Sequence, residues 1–257
     1  MTARFSAKAL RESLTTSFVG RRLEYRAALG STQELARELA QTGAAEGTVV
    51  LAGRQTAGRG RLDRSWISPS GGLYLTVVLR PPAKHLKALV IIAALAVARA
   101  IERLVGLQTT LKWPNDVLVA GRKLSGILSE SELVGEGVSY ALVGIGVNVN
   151  ADMTAYGEAA PQATSVMTEL GREVSREGLA AAILNEFEAL YLAAQAGEPI
   201  HEEWRARLST LGKQVQVRFG EQVEEGLAED VDSDGNLVLR RADGSPVTIA
   251  AGDVTLR

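Results

Sequence analysis

The chain contains no cysteine and only two histidines among its 257 residues. Without cysteine there is no disulfide framework, no thiolate nucleophile and no zinc-finger site, and two histidines leave little for a histidine-based metal centre. A strong charge of one sign is also missing: 28 Lys and Arg face 30 Asp and Glu, a formal net charge of −2. That balance excludes a globally basic nucleic-acid coat and leaves only a local basic patch open. The long apolar run, residues 88–98, is about half of the ~20 residues that a membrane span requires. Residues 1–20 lack the continuous apolar stretch of a secretory signal. The expectation is a soluble, cytoplasmic, globular protein with no membrane partner. At roughly 100–200 residues per domain, the length fits one large domain, or a large and a small one, with a sizeable core.

Local signals then divide the chain. Ser31-Thr32-Gln33-Glu34 reads as a capping box, followed by Leu35, Ala36, Leu39 and Ala40 at helical spacing and by Gly43 as a stop. Residues 47–53 and 73–79 read as buried strands, and the pattern over 84–104 is a helix apolar nearly all round. Residues 109–113, 116–119, 124–133 and 138–148 read as further strands, with turn residues at Gly121-Arg122 and Gly135-Glu136-Gly137. Residues 150–161 are loop-like, and 177–194 and 198–208 read as helices. After Leu211 the texture changes to short alternating stretches, with turn signals at Gly220-Glu221, Asp234-Gly235 and Asp243-Gly244. That pattern predicts a small β-barrel, too small to stand alone and so docked on the rest.

Three segments invite chemistry. Gly58-Arg59-Gly60-Arg61-Leu62-Asp63-Arg64-Ser65-Trp66 packs three Arg and two Gly into nine residues between two strands. Glycine lets the backbone approach an anion, and arginine offers a planar fork for phosphate or carboxylate. A solvated surface loop and a nucleic-acid patch are the other readings of this segment; a P-loop is excluded by its ending. Lys112-Trp113-Pro114-Asn115-Asp116 breaks strand-like sequence with a proline. It is either a turn with a buried Trp, or a place where Trp stacks on a ring, Asn pairs with polar edges and Asp holds a cation. Lys123 taken alone is surface charge. Gly144-Ile145-Gly146-Val147-Asn148 taken alone is a tight strand end, with neither the third glycine nor the helix of a dinucleotide fingerprint.

Taken in order, these segments carry a resemblance. Ser31-Thr32-Gln33, Arg54 through Trp66, Lys112 through Asp116, Arg122-Lys123-Leu124-Ser125-Gly126-Ile127-Leu128-Ser129-Glu130, and Gly144 through Asn148 follow the order found in biotin protein ligases, which the chain closely resembles over residues 23–148. The tail, 211–257, resembles the family's C-terminal domain more loosely. There are two departures: Gln33 stands where the family usually has Asn, and Asp63 where the Arg-rich loop usually has Gly.

The resemblance implies an α+β fold: a central mixed or antiparallel sheet with flanking helices over 1–210, and a barrel of the Src-homology-3 kind over 211–257. It implies an ATP-dependent ligase that joins biotin to AMP and passes it to a lysine of a biotin carboxyl carrier protein, with Mg²⁺ as activator. The residues it assigns to biotin are Ser31, Thr32, Gln33, Gln55, Arg59, Gly60, Arg61 and Lys123, with Arg59, Arg61 and Lys123 as the catalytic cations. Gly58, Arg64, Trp66, Asn115 and Asn148 fall near the adenylate, and Asp116 is the Mg²⁺ contact. Val49 and Leu51 are expected to line the pocket for biotin's chain, and the Gly/Arg loop to close over the intermediate. The Ser31 motif arrives too early for an N-terminal DNA-binding domain of roughly 60 residues, so the expectation is a ligase-only form that binds no DNA; a homodimer stays open. The competing readings are a lipoate or octanoate transferase of the same fold and a nucleic-acid-binding module built on the loop and tail.

Overall fold

Ser31 opens a helix where its pattern predicts one, but as a simple N-cap through Gln33 rather than a capping box through Glu34. In the computed structural model, which describes residues 5–135, 137–160 and 162–256, Ser31 is extended and its hydroxyl accepts from the Gln33 N–H at 3.2 Å. The helix α2 (Thr32–Gln41) follows, preceded by a short α1 (Ala7–Ser13). Glu136 of the predicted turn, Pro161 of the predicted loop and Arg257 lie outside the described residues.

Seven strands form the main sheet: β1 (Leu23–Arg26), β2 (Val49–Ala52), β3 (Leu73–Leu79), β4 (Thr109–Lys112), β5 (Asp116–Val119), β6 (Arg122–Val134) and β7 (Gly137–Val147). Their order is β1-β2-β3-β7-β6-β5-β4, with β1 parallel to β2 and the other neighbours antiparallel, which makes the sheet mixed. One face packs on α3 (Ala88–Val105) and α5 (Arg176–Gln195), which share the main core with Val49, Leu51, Val77, Val143 and Ile145. Helix α3 is buried nearly all round, as its sequence requires. It starts later than the pattern suggests, because Ala83–His85 forms a separate 3₁₀ turn.

The other face is covered at one end only. There Ala36 and Ala40 of α2 pack on Val50, Val78, Tyr140 and Leu142. The rest of that face, through Thr76, Gly144, Gly146 and Gly126, is left for loops and ligands. The predicted loop at 150–161 holds a 3₁₀ turn at Met153–Ala159, followed by α4 (Val166–Leu170) and, after α5, by α6 (Ile200–Ala206). No helix among the described residues is long and apolar enough to cross a membrane.

The tail forms β8 (Gln214–Phe219), β9 (Gln222–Val231), β10 (Leu237–Arg240), β11 (Pro246–Ile249) and β12 (Asp253–Leu256). They make one antiparallel sheet in the order β11-β10-β9-β8-β12. The predicted strands are present; among the described residues no ladder joins the two edge strands, so closure into a barrel is not seen. The tail docks as expected. Val215, Ala228, Leu237 and Leu239 belong to the same core as α3, and the Trp113 indole N–H donates to the Gly235 carbonyl at 2.9 Å.

A buried carboxylate ties the N-terminal segment to α5. Glu188, 6% exposed, accepts from the backbone N–H groups of Ser17, Phe18 and Val19 and from the Ser17 hydroxyl. Burial pushes its carboxyl up, but these donors outweigh burial and hold it below the ordinary carboxylate range. Its contribution is therefore complete above the unfolded-state value of about 4.3 and is lost as pH falls through the lower folded value. Glu188→Ala should destabilise the fold by about 2–3 kcal/mol at neutral pH, and by much less in acid. Urea titrations at the two pH values check it; an equal loss at both would exclude the ionised carboxylate as the cause.

Candidate active site

The site grows from glycines. Gly126 of β6 pairs with Gly146 of β7, and Gly144 lies two residues along on the same face. A methyl group at Gly146 would sit 2.5 Å from the Trp66 indole nitrogen, and one at Gly126 would sit 2.8 Å from the Trp66 ring. At Gly144 it would sit 2.8 Å from Gln33 Oε1. Only a glycine floor lets Trp66 and Gln33 lie against the sheet.

Above this floor is a cavity of about 330 Å³, within the range of small-molecule sites. Of the residues singled out from the sequence, Ser31, Thr32, Gln33, Gln55, Arg59, Gly60, Arg61, Arg64, Trp66, Asn115, Asp116 and Lys123 line it. Four of the expected residues do not line it. Val49 and Leu51 belong to the core on the opposite face and do not line the cavity. Gly58 is also absent from the lining and instead closes the loop: a methyl group there would meet the Trp66 carbonyl at 2.4 Å. Asn148, 2% exposed, lies outside the lining too, and its amide donates to the Thr164 carbonyl at 2.9 Å.

Part of the lining is neutral and hydrogen-bonding. Gln55 Oε1 accepts from the Thr32 N–H at 2.8 Å and from its hydroxyl at 3.0 Å, while Gln55 Nε2 donates to Ser68 Oγ. The fully buried Thr76 hydroxyl lies 2.9 Å from Thr32 Oγ1 and 3.1 Å from Gln33 Oε1. Gln33, longer than the usual Asn, uses its length to reach the Leu142 carbonyl.

The rest of the lining carries cations on both sides of Gln33: Lys123 beside Gly126, and Arg59 held at Glu130, one rung beyond Gly144. The Gly/Arg loop is a hairpin, with Trp66 N–H on the Gly58 carbonyl, Gly60 N–H on Arg64, and Arg64 N–H on Arg61. Arg59, Arg61, Arg64 and Lys123 each meet a partner within the protein. Arg59 lies 3.0 Å from Glu130 and Arg64 pairs with Asp253 of the tail. Arg61 donates to Asn115 at 3.2 Å and to the Gly252 carbonyl at 3.4 Å. Burial pushes the Arg61 guanidinium below its ordinary value, against the pull of Asp253 and Asp116. Lys123 Nζ is 2.8 Å from Asp116 and 5.2 Å from the centre of the Trp66 ring.

The Asp116 carboxylate, expected to touch Mg²⁺, is thus occupied by Lys123. Among the described residues no group of three His, Cys, Asp or Glu is placed to hold a metal ion. Mg²⁺ ordinarily takes one or two carboxylates together with substrate phosphates and water, so a Mg²⁺ arriving with ATP would need only Asp116 from this set. Sequence reasoning also missed Thr76, Glu130, Arg37 and Asp253, which are distant in the chain and meet only through the sheet order and the docked tail.

The departure at Asp63 has a backbone consequence. Leu62 and Asp63 form the hairpin tip with φ of +51° and +56°. That left-handed region suits Gly, and Asp tolerates it better than bulky residues do. Asp63→Gly should slow tryptic cleavage of the ligand-free loop by about two- to fivefold, and Asp63→Val should speed it by about tenfold. Identical cleavage of all three proteins would remove the strained-tip account.

Comparison with known proteins agrees with this architecture. The Biotin/lipoate A/B protein ligase family profile matches residues 26–148, and that of the Biotin protein ligase C terminal domain matches 210–257. The fold therefore falls in the biotin and lipoate ligase class. The chain is 36% identical over 247 residues to the bifunctional ligase/repressor BirA of Bacillus subtilis, covering 94% of this chain and 76% of that protein. It is 35% identical to the biotin–[acetyl-CoA-carboxylase] ligase of Mycobacterium tuberculosis, covering 96% and 94%. The biotin protein ligase from Aquifex aeolicus, solved in complex with biotin and ATP, superposes with a TM-score of 0.77 at 29% identity, covering 92% of this chain and 99% of that one. The chain belongs to the biotin protein ligase family.

Proposed function

We infer that the protein is an ATP-dependent ligase that activates biotin as biotinyl-5′-AMP and transfers it to a lysine of a biotin carboxyl carrier protein. The observation that carries this reading is that one cavity is lined both by neutral hydrogen-bonding groups, Ser31, Thr32, Gln33 and Gln55, and by the cations Arg59, Arg61, Arg64 and Lys123. A ureido ring needs neutral donors and acceptors, whereas a carboxylate and a triphosphate repel each other until positive groups bring them together.

In the first step a biotin carboxylate oxygen bonds to the α-phosphorus of ATP, the bond to the β-phosphate bridge breaks, and pyrophosphate leaves. Lys123 bridges the carboxylate and the α-phosphate, and Arg59 and Arg61 hold the growing negative charge. In the second step the carrier lysine amine attacks the acyl carbon to form the amide C–N bond and releases a proton to solvent, the bond from the acyl carbon to the phosphate oxygen breaks, and AMP leaves with that electron pair. Trp66, Arg64 and Asn115 sit on the adenylate side. Asn148 acts from behind by holding the segment at Thr164. Asp116 serves as counter-ion to Lys123 and is the residue that would hold a Mg²⁺ brought in with ATP, whose charge would offset that of the phosphates. Residues 1–210 form the catalytic unit, and 211–257 the unit that anchors the loop through Gly252 and Asp253. ATP as co-substrate fits a cytoplasmic enzyme.

Arg59 and Arg61 turn to partners within the protein rather than forming an exposed basic face, which speaks against the nucleic-acid module. A salt titration with random oligonucleotides tests that point, since such binding is strongly salt-dependent. The function itself is tested by mixing enzyme, biotin and ATP with a carrier domain. Biotin should appear on the target lysine and be absent from its Lys→Arg variant; an unmodified native carrier would refute the transfer.

A further inference from the structure

Glu130 stands on β6 on the same face as Gly126 and Leu128, opposite Leu142 and one rung beyond the glycine floor. Its carboxylate is shared. Oε2 lies 2.8 Å from Arg37 Nη2, and Oε1 lies 3.0 Å from Arg59 Nη2. Arg59 Nη1 also comes within 3.5 Å of Oε2, so both ends of its fork face one carboxylate and the plane of the guanidinium is set. Arg37 belongs to α2, one turn after Gln33. Helix, sheet and loop therefore meet at one carboxylate.

The charge count explains why two arginines are needed. A lone carboxylate beside Arg59 would cancel the positive charge that an anionic ligand requires. Arg37 supplies a second cation that offsets the Glu130 charge while Arg59 stays fixed, and the neighbouring Glu132 is engaged by the Tyr140 hydroxyl. The N–H donors that Glu130 does not take remain for a ligand in the cavity that Arg59 lines.

We propose that Glu130, steadied by Arg37, is a positioning residue for adenylation: it fixes the Arg59 guanidinium at the α2 side of the cavity before the substrates arrive. What Arg59 then binds rests on the ligase reading. Glu130 touches no reacting group and acts through Arg59. A fork already oriented loses less freedom when carboxylate and phosphate bind, which lowers the barrier to reaction.

A double-mutant cycle on single-turnover adenylation, at saturating biotin and ATP, tests this. Glu130→Gln should slow the step about tenfold in the native background and change it less than about twofold in an Arg59→Ala background. Glu130→Asp, which keeps the charge, should recover part of the rate. A merely structural role would slow both backgrounds alike, and that result would overturn the proposal. Thermal melting of each variant shows whether the fold is intact. In the ligand-free protein, trypsin should cut after Arg59 about fivefold faster in Glu130→Gln, the effect of freeing one partly exposed ion pair. Unchanged cleavage would also overturn the proposal. This last readout needs no turnover, so it judges the hold on Arg59 even if native protein fails to activate biotin, a failure that would count against the ligase reading alone.

Discussion

Lys123→Ala should lower single-turnover formation of biotinyl-adenylate by about 10²–10³-fold, with ATP affinity and fold nearly unchanged. The backbone of Lys123 is pinned on both sides, its N–H on the Gln162 carbonyl at 2.8 Å and its carbonyl on the Thr164 N–H at 2.9 Å. Its ammonium rests between Asp116 and the Trp66 ring at the edge of the cavity. Such a compact charge can meet a carboxylate oxygen and an α-phosphate oxygen together, whereas the wider fork of Arg is mis-set there. Lys123→Arg should therefore recover little. Lys84→Ala is the control, since Lys84 is exposed on the 3₁₀ turn before α3. If Lys123→Ala and Lys84→Ala both adenylate biotin at the native rate, with circular dichroism unchanged, Lys123 is surface charge only.

The second large effect is steric. Gly146→Ala should weaken biotin binding by roughly ten- to hundredfold, the equivalent of about 1–3 kcal/mol of overpacking. The added methyl would overlap the Trp66 indole, at 2.5 Å and 2.6 Å from two of its atoms. Trp66 must then lift, and with it the hairpin that carries Arg59, Arg61 and Arg64. Trp66→Ala in the same chain should relieve the overlap and restore part of the binding to Gly146→Ala. Calorimetry on the two single variants and the double variant decides it. Native affinity in Gly146→Ala would show that Trp66 yields at no cost, and that the glycine floor is not a binding element.

Where a local rule governs, the sequence is readable. The hydroxyl-then-Glu pattern at Ser31 places the start of α2, and the turn pairs of the tail space its strands. The Arg-rich loop reads as an anion site because its residue types carry that chemistry wherever they stand. Lys123 is different: its spacing says nothing, and only the ordered set of motifs singles it out. Gly144 and Gly146 read as a tight strand end, yet their separation by two residues puts both on one face of β7, where they floor the cavity. Val49 and Leu51 mislead for a related reason. β2 is buried along its whole length, so its residues show no alternation and nothing local tells which side faces the ligand. Arg37, Glu130 and Arg59 are scattered along the chain and are brought together only by the order of strands and the seat of α2.

The central claim is that this cavity joins biotin's carboxylate to the α-phosphate of ATP, and the most direct measurement is exchange of labelled pyrophosphate into ATP. Native protein should catalyse the exchange when biotin is present and not when it is omitted, because only the reversible formation of biotinyl-adenylate links the two pools. Exchange driven by lipoate and not by biotin, or no exchange at all, would contradict the assignment.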